Sequence, residues 1–287
     1  MNAEQLKRTP PRSWLFVPAL RAPEWLPKAM ASGADGIVID LEDATAPSEK
    51  DRAREVVRAL AIAPRERPAI VVRVNADPAV LEPDCAAAAE SGADGIVLPK
   101  VEGTYQVTRA ERFVAGSALT ILPMFEMARA VLKALDLAVA SERVVSLMFG
   151  GGDLAAEAGW VRTRAGDELA TARSLVALAA AARGIGAVDT PWLDIKDLEG
   201  CRAEARAVSR IGFTGKFAIH PSHVRPIHEG FAPSEEEVAD ARGLVAAFDA
   251  AIAAGLGVAT YRGRMIDKPD ALQARRVLAR ADLGSTA

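Results

Sequence analysis

The sequence predicts a single (β/α)8 barrel, a TIM barrel, with a C-terminal helical arm, and three observations carry the prediction. First, the heptapeptide Ser-Gly-Ala-Asp-Gly-Ile-Val occurs unchanged at 32–38 and 91–97. Each copy follows a helical stretch, offers a glycine to end it, and runs into an apolar strand. Second, eight short apolar runs alternate with helical stretches along the chain. Third, polar residues gather just past seven of those runs, at the end where a barrel of this kind carries its chemistry.

The runs are 14–17, 36–39, 69–74, 95–98, 119–124, 144–149, 185–188 and 216–219. Most are continuously apolar, as parallel strands covered on both faces require. Helix signals between them include 48–61 after Pro47, 167–182 and 195–211. Past the second run stand Asp40, Glu42 and Asp43, and at the third Arg73 and Asn75. Lys100, Glu126, Asp153, Asp189 and His220 follow the next five in turn, whereas few comparable charges precede the runs. Residues 1–228 are therefore assigned to the barrel and 229–287 to the arm. The arm opens with a capping box, Ser234 to Glu237, and a helix with Val238, Ala241, Leu244, Val245, Phe248 and Ile252 on one face. Residues 258–261 read as extended, 265–269 as a turn, and 271–281 as a last helix.

Half of the 287 residues are apolar, a quarter are charged, and the formal net charge is −3. With only eight Phe, four Trp and two Tyr, the core must be built from Ala, Val, Leu and Ile. This composition excludes disordered, collagen-like and coiled-coil classes. The absence of a basic block argues against nucleic acid as a partner. The longest uncharged run, 113–125, is too short to cross a membrane. Cys85 and Cys201 make neither a disulfide framework nor a thiolate zinc site, and the first residues lack the apolar stretch of a signal peptide. The expectation is a soluble, cytoplasmic protein.

Glu126 and Asp153, from adjacent strand ends, form a pair suited to Mg²⁺, which is held by few carboxylates and takes its other ligands from water and substrate. Spacing alone leaves open that Asp153 merely caps the helix beginning near Leu154. Gly150-Gly-Gly-Asp153 imitates a dinucleotide fingerprint, but Asp153 would face the pyrophosphate, so the glycines are read as letting backbone approach a ligand closely. His220, His223 and His228 are interrupted by Pro226 and do not make a zinc motif; only His220 stands at a strand end. Arg73, inside an apolar run, pairs with Glu42 or Asp43 or binds an anionic substrate, and Lys100 is similar. Asp267 by itself is an ordinary turn residue.

Ten segments resemble the citrate lyase β-subunit-like group of the HpcH/HpaI aldolase superfamily, in order and over nearly the whole chain. They are RSWLFVPALR (12–21), GIVIDLEDATAPSEK (36–50), VVRVN (71–75), GIVLPKVE (95–102), ILPMFEMARA (121–130), FGGGDLAAEAG (149–159), DTPWLDIKDLEG (189–200), GFTGKFAIHPSHV (212–224), FAPSEEEVADAR (231–242) and YRGRMIDKPDALQARR (261–276). The resemblance implies a Mg²⁺-dependent carbon–carbon lyase that cleaves a citryl-CoA- or malyl-CoA-type thioester into acetyl-CoA and a 2-oxo acid, oxaloacetate or glyoxylate. It implies Glu126 and Asp153 as metal ligands, Arg73, Asp43 and Asp267 as catalytic residues, and Glu42 in the acidic site motif; with Lys100 and Gly152 added from their places after the runs, Arg73, Glu42, Lys100, Gly152 and Asp153 are expected around the substrate. Asp267 would come from a neighbouring subunit of a trimer or hexamer. Met127, where relatives often carry Ser or Thr, is a departure that bears on which acid is recognised. Two other readings stand beside this one: an aldolase acting on free 2-oxo acids such as pyruvate, and a complex-bound subunit needing an acyl carrier partner.

Overall fold

Both copies of the repeat turn a helix into a strand by the same contacts in the computed structural model, which describes residues 3–63 and 67–284. Gly33 and Gly92 take φ of +78° and +80°, a left-handed conformation that glycine adopts without steric cost. The Ser32 hydroxyl donates back to the Ala29 carbonyl at 2.7 Å, and Ser91 does the same to Ala88 at 2.8 Å. The repeat aspartates then pin the preceding strand. Asp35 accepts from the Arg12 backbone (3.0 Å) and Nε (2.8 Å), and Asp94 from the Ile70 backbone (2.7 Å) and Arg67 Nη1 (2.6 Å). The strand starts, expected to be poor in charge, thus carry two ion pairs, each closing one end of the repeat.

The elements alternate through the barrel: α1 (Ala3–Arg8), β1 (Ser13–Pro18), α2 (Ala22–Ala31), β2 (Gly36–Asp40), α3 (Lys50–Ala59), β3 (Ala69–Arg73), α4 (Pro78–Ser91), β4 (Gly95–Leu98) and α5 (Thr104–Val114). They continue with β5 (Thr120–Phe125), α6 (Ala128–Leu132), α7 (Ala134–Ala138), β6 (Ser146–Phe149), α8 (Gly151–Ala158), α9 (Ala170–Arg183), β7 (Gly186–Asp189), α10 (Leu198–Arg210), β8 (Gly215–Ala218) and α11 (Val224–Phe231). The eight strands are parallel and close in sequence order, β8 returning to β1 through Ser13 opposite Lys216. In this register Asp40 stands opposite Arg73. The interior is filled by Trp14, Val38, Val71, Val97, Leu122, Met124, Met148, Val188 and Phe217, with Leu6 of α1 added to them. No helix among the described residues is long and apolar enough to cross a membrane.

Asp189 departs from the expected mouth-facing position. It is fully buried between strands and helices, where Arg173 of α9 donates to it at 2.8 and 3.0 Å and Lys216 of β8 at 2.6 Å. Lys216 also donates to Glu204 of α10 and to the Thr190 carbonyl. Two cations and two carboxylates therefore neutralise one another out of water, which is how buried charge is tolerated.

The chain divides into two compact units, Met1–Glu229 and Gly230–Ala287. In the second, α12 (Glu235–Ala253) begins with the expected capping box, Ser234 and Glu237 exchanging bonds of 2.8 and 3.1 Å. The stretch read as a turn at 265–269 instead links two elements: 265–266 belong to β10 (Arg264–Ile266), which pairs antiparallel with β9 (Ala259–Tyr261), and 268–269 open the last helix. The reversal is at Arg262-Gly263, both with positive φ, the geometry that two-residue hairpins prefer. Pro269 sits in the first turn of α13 (Lys268–Gly284), where its missing N–H costs nothing. Phe248, Ile266 and Ala271 form this unit's own small core.

Replacing Lys216 with Met should destabilise the protein by roughly 3 kcal/mol, because it leaves surplus negative charge buried. Urea denaturation of Lys216→Met against wild type measures this.

Candidate functional site

The C-terminal ends of the strands enclose a cavity of about 420 Å³ lined by Asp40, Asp43, Arg73, Glu126, Gly152 and Asp153 among others. Its acidic side is the loop after β2. Asp40 ends the strand and its carboxylate accepts from the backbone N–H of Glu42 at 2.9 Å and of Ala44 at 3.1 Å, which turns the chain back over the barrel. Lys50 donates to the carbonyls of Leu41 and Glu42, both at 2.6 Å, and Asn75 to that of Leu41 at 3.2 Å.

Arg73 projects from the end of β3 into this loop. Its Nε and Nη2 make a fork onto Asp40 at 2.8 and 2.7 Å, and its guanidinium lies 4.9 Å from the centre of the Phe16 ring. The remaining contacts are 3.1 Å to Glu42 Oε2 and 3.4 Å to Asp43. Burial alone would lower the arginine's pKa, but the bond and charge of Asp40, with Glu42 and Asp43 behind them, carry it above its usual value. Sequence reasoning named Glu42 and Asp43 as the partners and missed Asp40 as the principal one. The signal was there in the barrel register, which sets Asp40 beside Arg73.

Lys100 serves two carboxylates at once. Its Nζ donates to Glu42 Oε1 at 2.6 Å while its backbone N–H donates to Glu126 Oε1 at 2.7 Å. The backbone donation goes with a left-handed φ of +48°. Glu42 Oε2 is buried and receives no aligned N–H.

Glu126 follows β5 and is 1 % exposed. A Cβ on Gly150 would stand 2.6 Å from Glu126 Oε2, so the glycine at the end of β6 is what leaves room for this carboxylate. Burial first, then the charges of Glu42 and Asp153, push the Glu126 pKa up to about 8. Asp153 is exposed to the cavity from the first turn of α8, whose N-cap is Gly150. The reading of Asp153 as a helix cap therefore fails. Nothing lies within 4 Å of a Cβ built on Gly152, which leaves the cavity open on that side.

Five carboxylates, Asp40, Glu42, Asp43, Glu126 and Asp153, here face two cations, Arg73 and Lys100. A cluster with that surplus of negative charge and only oxygen donors suits a hard divalent cation. Among the described residues no three His, Cys, Asp or Glu side chains form a complete cage, so most ligands would be water or substrate. Beside it, Arg73 presents a fixed positive charge to an anionic or carbonyl oxygen.

The other residues singled out from sequence lie elsewhere. His220 is exposed and caps the short turn Pro221–His223 through its own ring, while His223 is buried and His228 bonds Ser13 at 2.8 Å near Asp35, at the strand starts. Asp267 belongs to the second unit. There it caps α13, its N–H donating to Asp270 at 3.0 Å and its carboxylate facing the Asp270 N–H at 3.5 Å.

The sequence profile of the family described as HpcH/HpaI aldolase/citrate lyase matches residues 12–221. Over 97% of the chain and 94% of the relative, the sequence is 33% identical to citrate lyase subunit beta of Leuconostoc mesenteroides subsp. cremoris. It is 37% identical to a (3S)-malyl-CoA thioesterase of Cereibacter sphaeroides, covering 95% of each chain. The crystal structure of CitE from Mycobacterium tuberculosis in complex with magnesium, acetoacetate and coenzyme A superposes with a TM-score of 0.84 at 35% identity, covering 96% of this chain and 100% of that one.

Burial lowers the pKa of both His223 and His228 from the usual 6.5, and at His228 it does so against the charge of Asp35. The unfolded chain then takes up more protons than the folded one once pH falls below about 6.5, so stability declines on acidification through that range. Urea midpoints measured from pH 7.5 to 5.5 should fall, and His223→Met should flatten the slope.

Proposed function

The chain belongs to the HpcH/HpaI aldolase/citrate lyase family, and from that premise we propose that this lyase is Mg²⁺-dependent and cleaves a 3-hydroxyacyl-CoA thioester of the citryl-CoA or malyl-CoA type. The products are acetyl-CoA and a 2-oxo acid, oxaloacetate or glyoxylate. One observation carries the reading: the nearly inaccessible Glu126 carboxylate, crowded by Glu42 and Asp153, shares a cavity with the Arg73 guanidinium.

Glu126 and Asp153 would hold the ion. The residues fit it: both donors are carboxylate oxygens, Gly150 gives Glu126 its space, and the crowding that raises its proton affinity is relieved equally by a cation. Bound there, magnesium supplies a Lewis acid for the oxygens of the acid fragment.

The chain's own residues do the rest. Asp43, half in solvent at the cavity wall, takes the hydroxyl proton as the carbon–carbon bond breaks. The bonding electrons pass to the carbon next to the thioester, giving the acetyl-CoA enolate, which is then protonated. Asp267, supplied by the arm of a neighbouring copy in a homo-oligomer, is the proposed donor for that proton; the resemblance supports it. Arg73, fixed by Asp40 before substrate arrives, meets the oxyanion with no reorganisation. Lys100 and Glu42, paired at 2.6 Å beside Arg73 and Glu126, complete the proposed substrate environment, and Gly152 leaves room for the acid. In this reading residues 1–228 are the catalytic domain and 229–287 the arm.

Purified protein with Mg²⁺ should cleave citryl- or malyl-type thioesters, and Glu126→Gln should abolish the Mg²⁺ response. Aldol cleavage of free 2-oxo acids without these thioester activities would sink the proposal, and activity appearing only with an acyl carrier partner would replace it with the complex-bound reading. Arg73→Lys, which cannot reproduce the fork, should lower kcat about 10²-fold, the scale for loss of an oxyanion donor. Asp267→Asn should lower kcat with little change in KM, read by steady-state kinetics.

A further inference from the structure

Gln106 is a residue that neither the sequence motifs nor the site geometry above assigns a role. It occupies the third position of α5, whose N-cap is Gly103. From there its side chain reaches back across the loop that follows β4. Its Oε1 accepts from the backbone N–H of Glu102 at 2.6 Å and of Gly103 at 3.1 Å, while its Nε2 donates to the Lys100 carbonyl at 3.1 Å. Accepting from the N-cap N–H is ordinary capping work for Glu or Gln at this position. Donating to the Lys100 carbonyl is not, and glutamate has no donor to do it with.

That third bond falls on a residue with an unfavourable backbone. Lys100 holds a φ of +48°, which a side chain with a Cβ disfavours, and its N–H is directed at Glu126 Oε1 at 2.7 Å. Such a conformation persists where surrounding contacts over-determine it. Gln106 clamps the loop on the carbonyl of the strained residue and on two amides just beyond it.

We propose that Gln106 is a positioning residue for the metal-side carboxylate: its amide holds the Lys100 turn in the left-handed form that presents the Lys100 N–H to Glu126. The inference rests on the reading of Glu126 as a ligand of a divalent cation. It explains why the position carries an amide where a carboxylate would cap the helix equally well and suit its positive N-terminal end better.

Gln106→Glu separates the two roles. It retains the capping acceptor, turns the donor to Lys100 into an oxygen that the carbonyl repels, and adds a negative charge that by itself would favour a cation. Mn²⁺ binding, followed by the loss of the free-ion paramagnetic resonance signal, is measured with wild type, Gln106→Glu, Glu126→Gln, Lys100→Gly and the Lys100→Gly/Gln106→Glu double variant, alongside thermal unfolding without metal. The expected result for Gln106→Glu is affinity weakened roughly tenfold, the lower end for loss of a group supporting a metal ligand, with Tm unchanged or raised. In the Lys100→Gly background, where glycine adopts the turn unaided, the same substitution should weaken binding much less. Wild-type affinity in Gln106→Glu, an equal loss in both backgrounds, or a loss that tracks a fall in Tm overturns the role. Wild type that takes up no Mn²⁺, or Glu126→Gln that binds as wild type does, overturns the metal reading itself and this inference with it.

Discussion

A guanidinium carried out of water at the end of β3 must be answered by charge, and Asp40 answers it with two parallel hydrogen bonds from the neighbouring strand end. The rest of the mouth is arranged around that pair. Because Asp40 also accepts two backbone amides of its own loop, fixing Arg73 and folding the acidic loop are one event. Glu42 is thereby brought to Lys100, and Lys100 in turn to Glu126, so a continuous line of contacts runs across the ends of β2, β3, β4 and β5. The line ends in the most crowded carboxylate of the set.

The two ends of the barrel divide labour, as barrels of this class do. At the strand starts, Asp35 with Arg12 and Asp94 with Arg67 are saturated: each aspartate meets both a guanidinium and a backbone amide. At the strand ends, Glu126 meets one amide, and Glu42 keeps an oxygen without an aligned donor. Satisfied charge at one end stabilises the fold. Unsatisfied charge at the other is what a ligand can use.

The strands were legible because a parallel strand buried on both faces leaves an unbroken apolar run, and the repeat at 32–38 and 91–97 showed the unit twice. Glu126 and Asp153 were legible as charges placed directly after such runs. What was not legible depends on direction and partner. Asp189 ends its strand just as Asp40 does, yet it turns to the helices, a choice visible only through Lys216 in an apolar strand and Arg173 in an alanine-rich helix. His220 follows β8 as the other polar residues follow theirs, but its ring is occupied by the next turn. The hairpin at 259–266 is too short for a periodic signal, and its reversal depends on positive φ at Arg262 and Gly263.

Lys100 supports its two neighbours by unlike means, one through an ammonium and one through a peptide N–H. Alanine scanning acts on the first and leaves the second donor in place, since every residue except proline retains the amide. A substitution at position 100 thus removes the charge beside Glu42 and leaves an amide for Glu126, so long as the new residue accepts the left-handed turn.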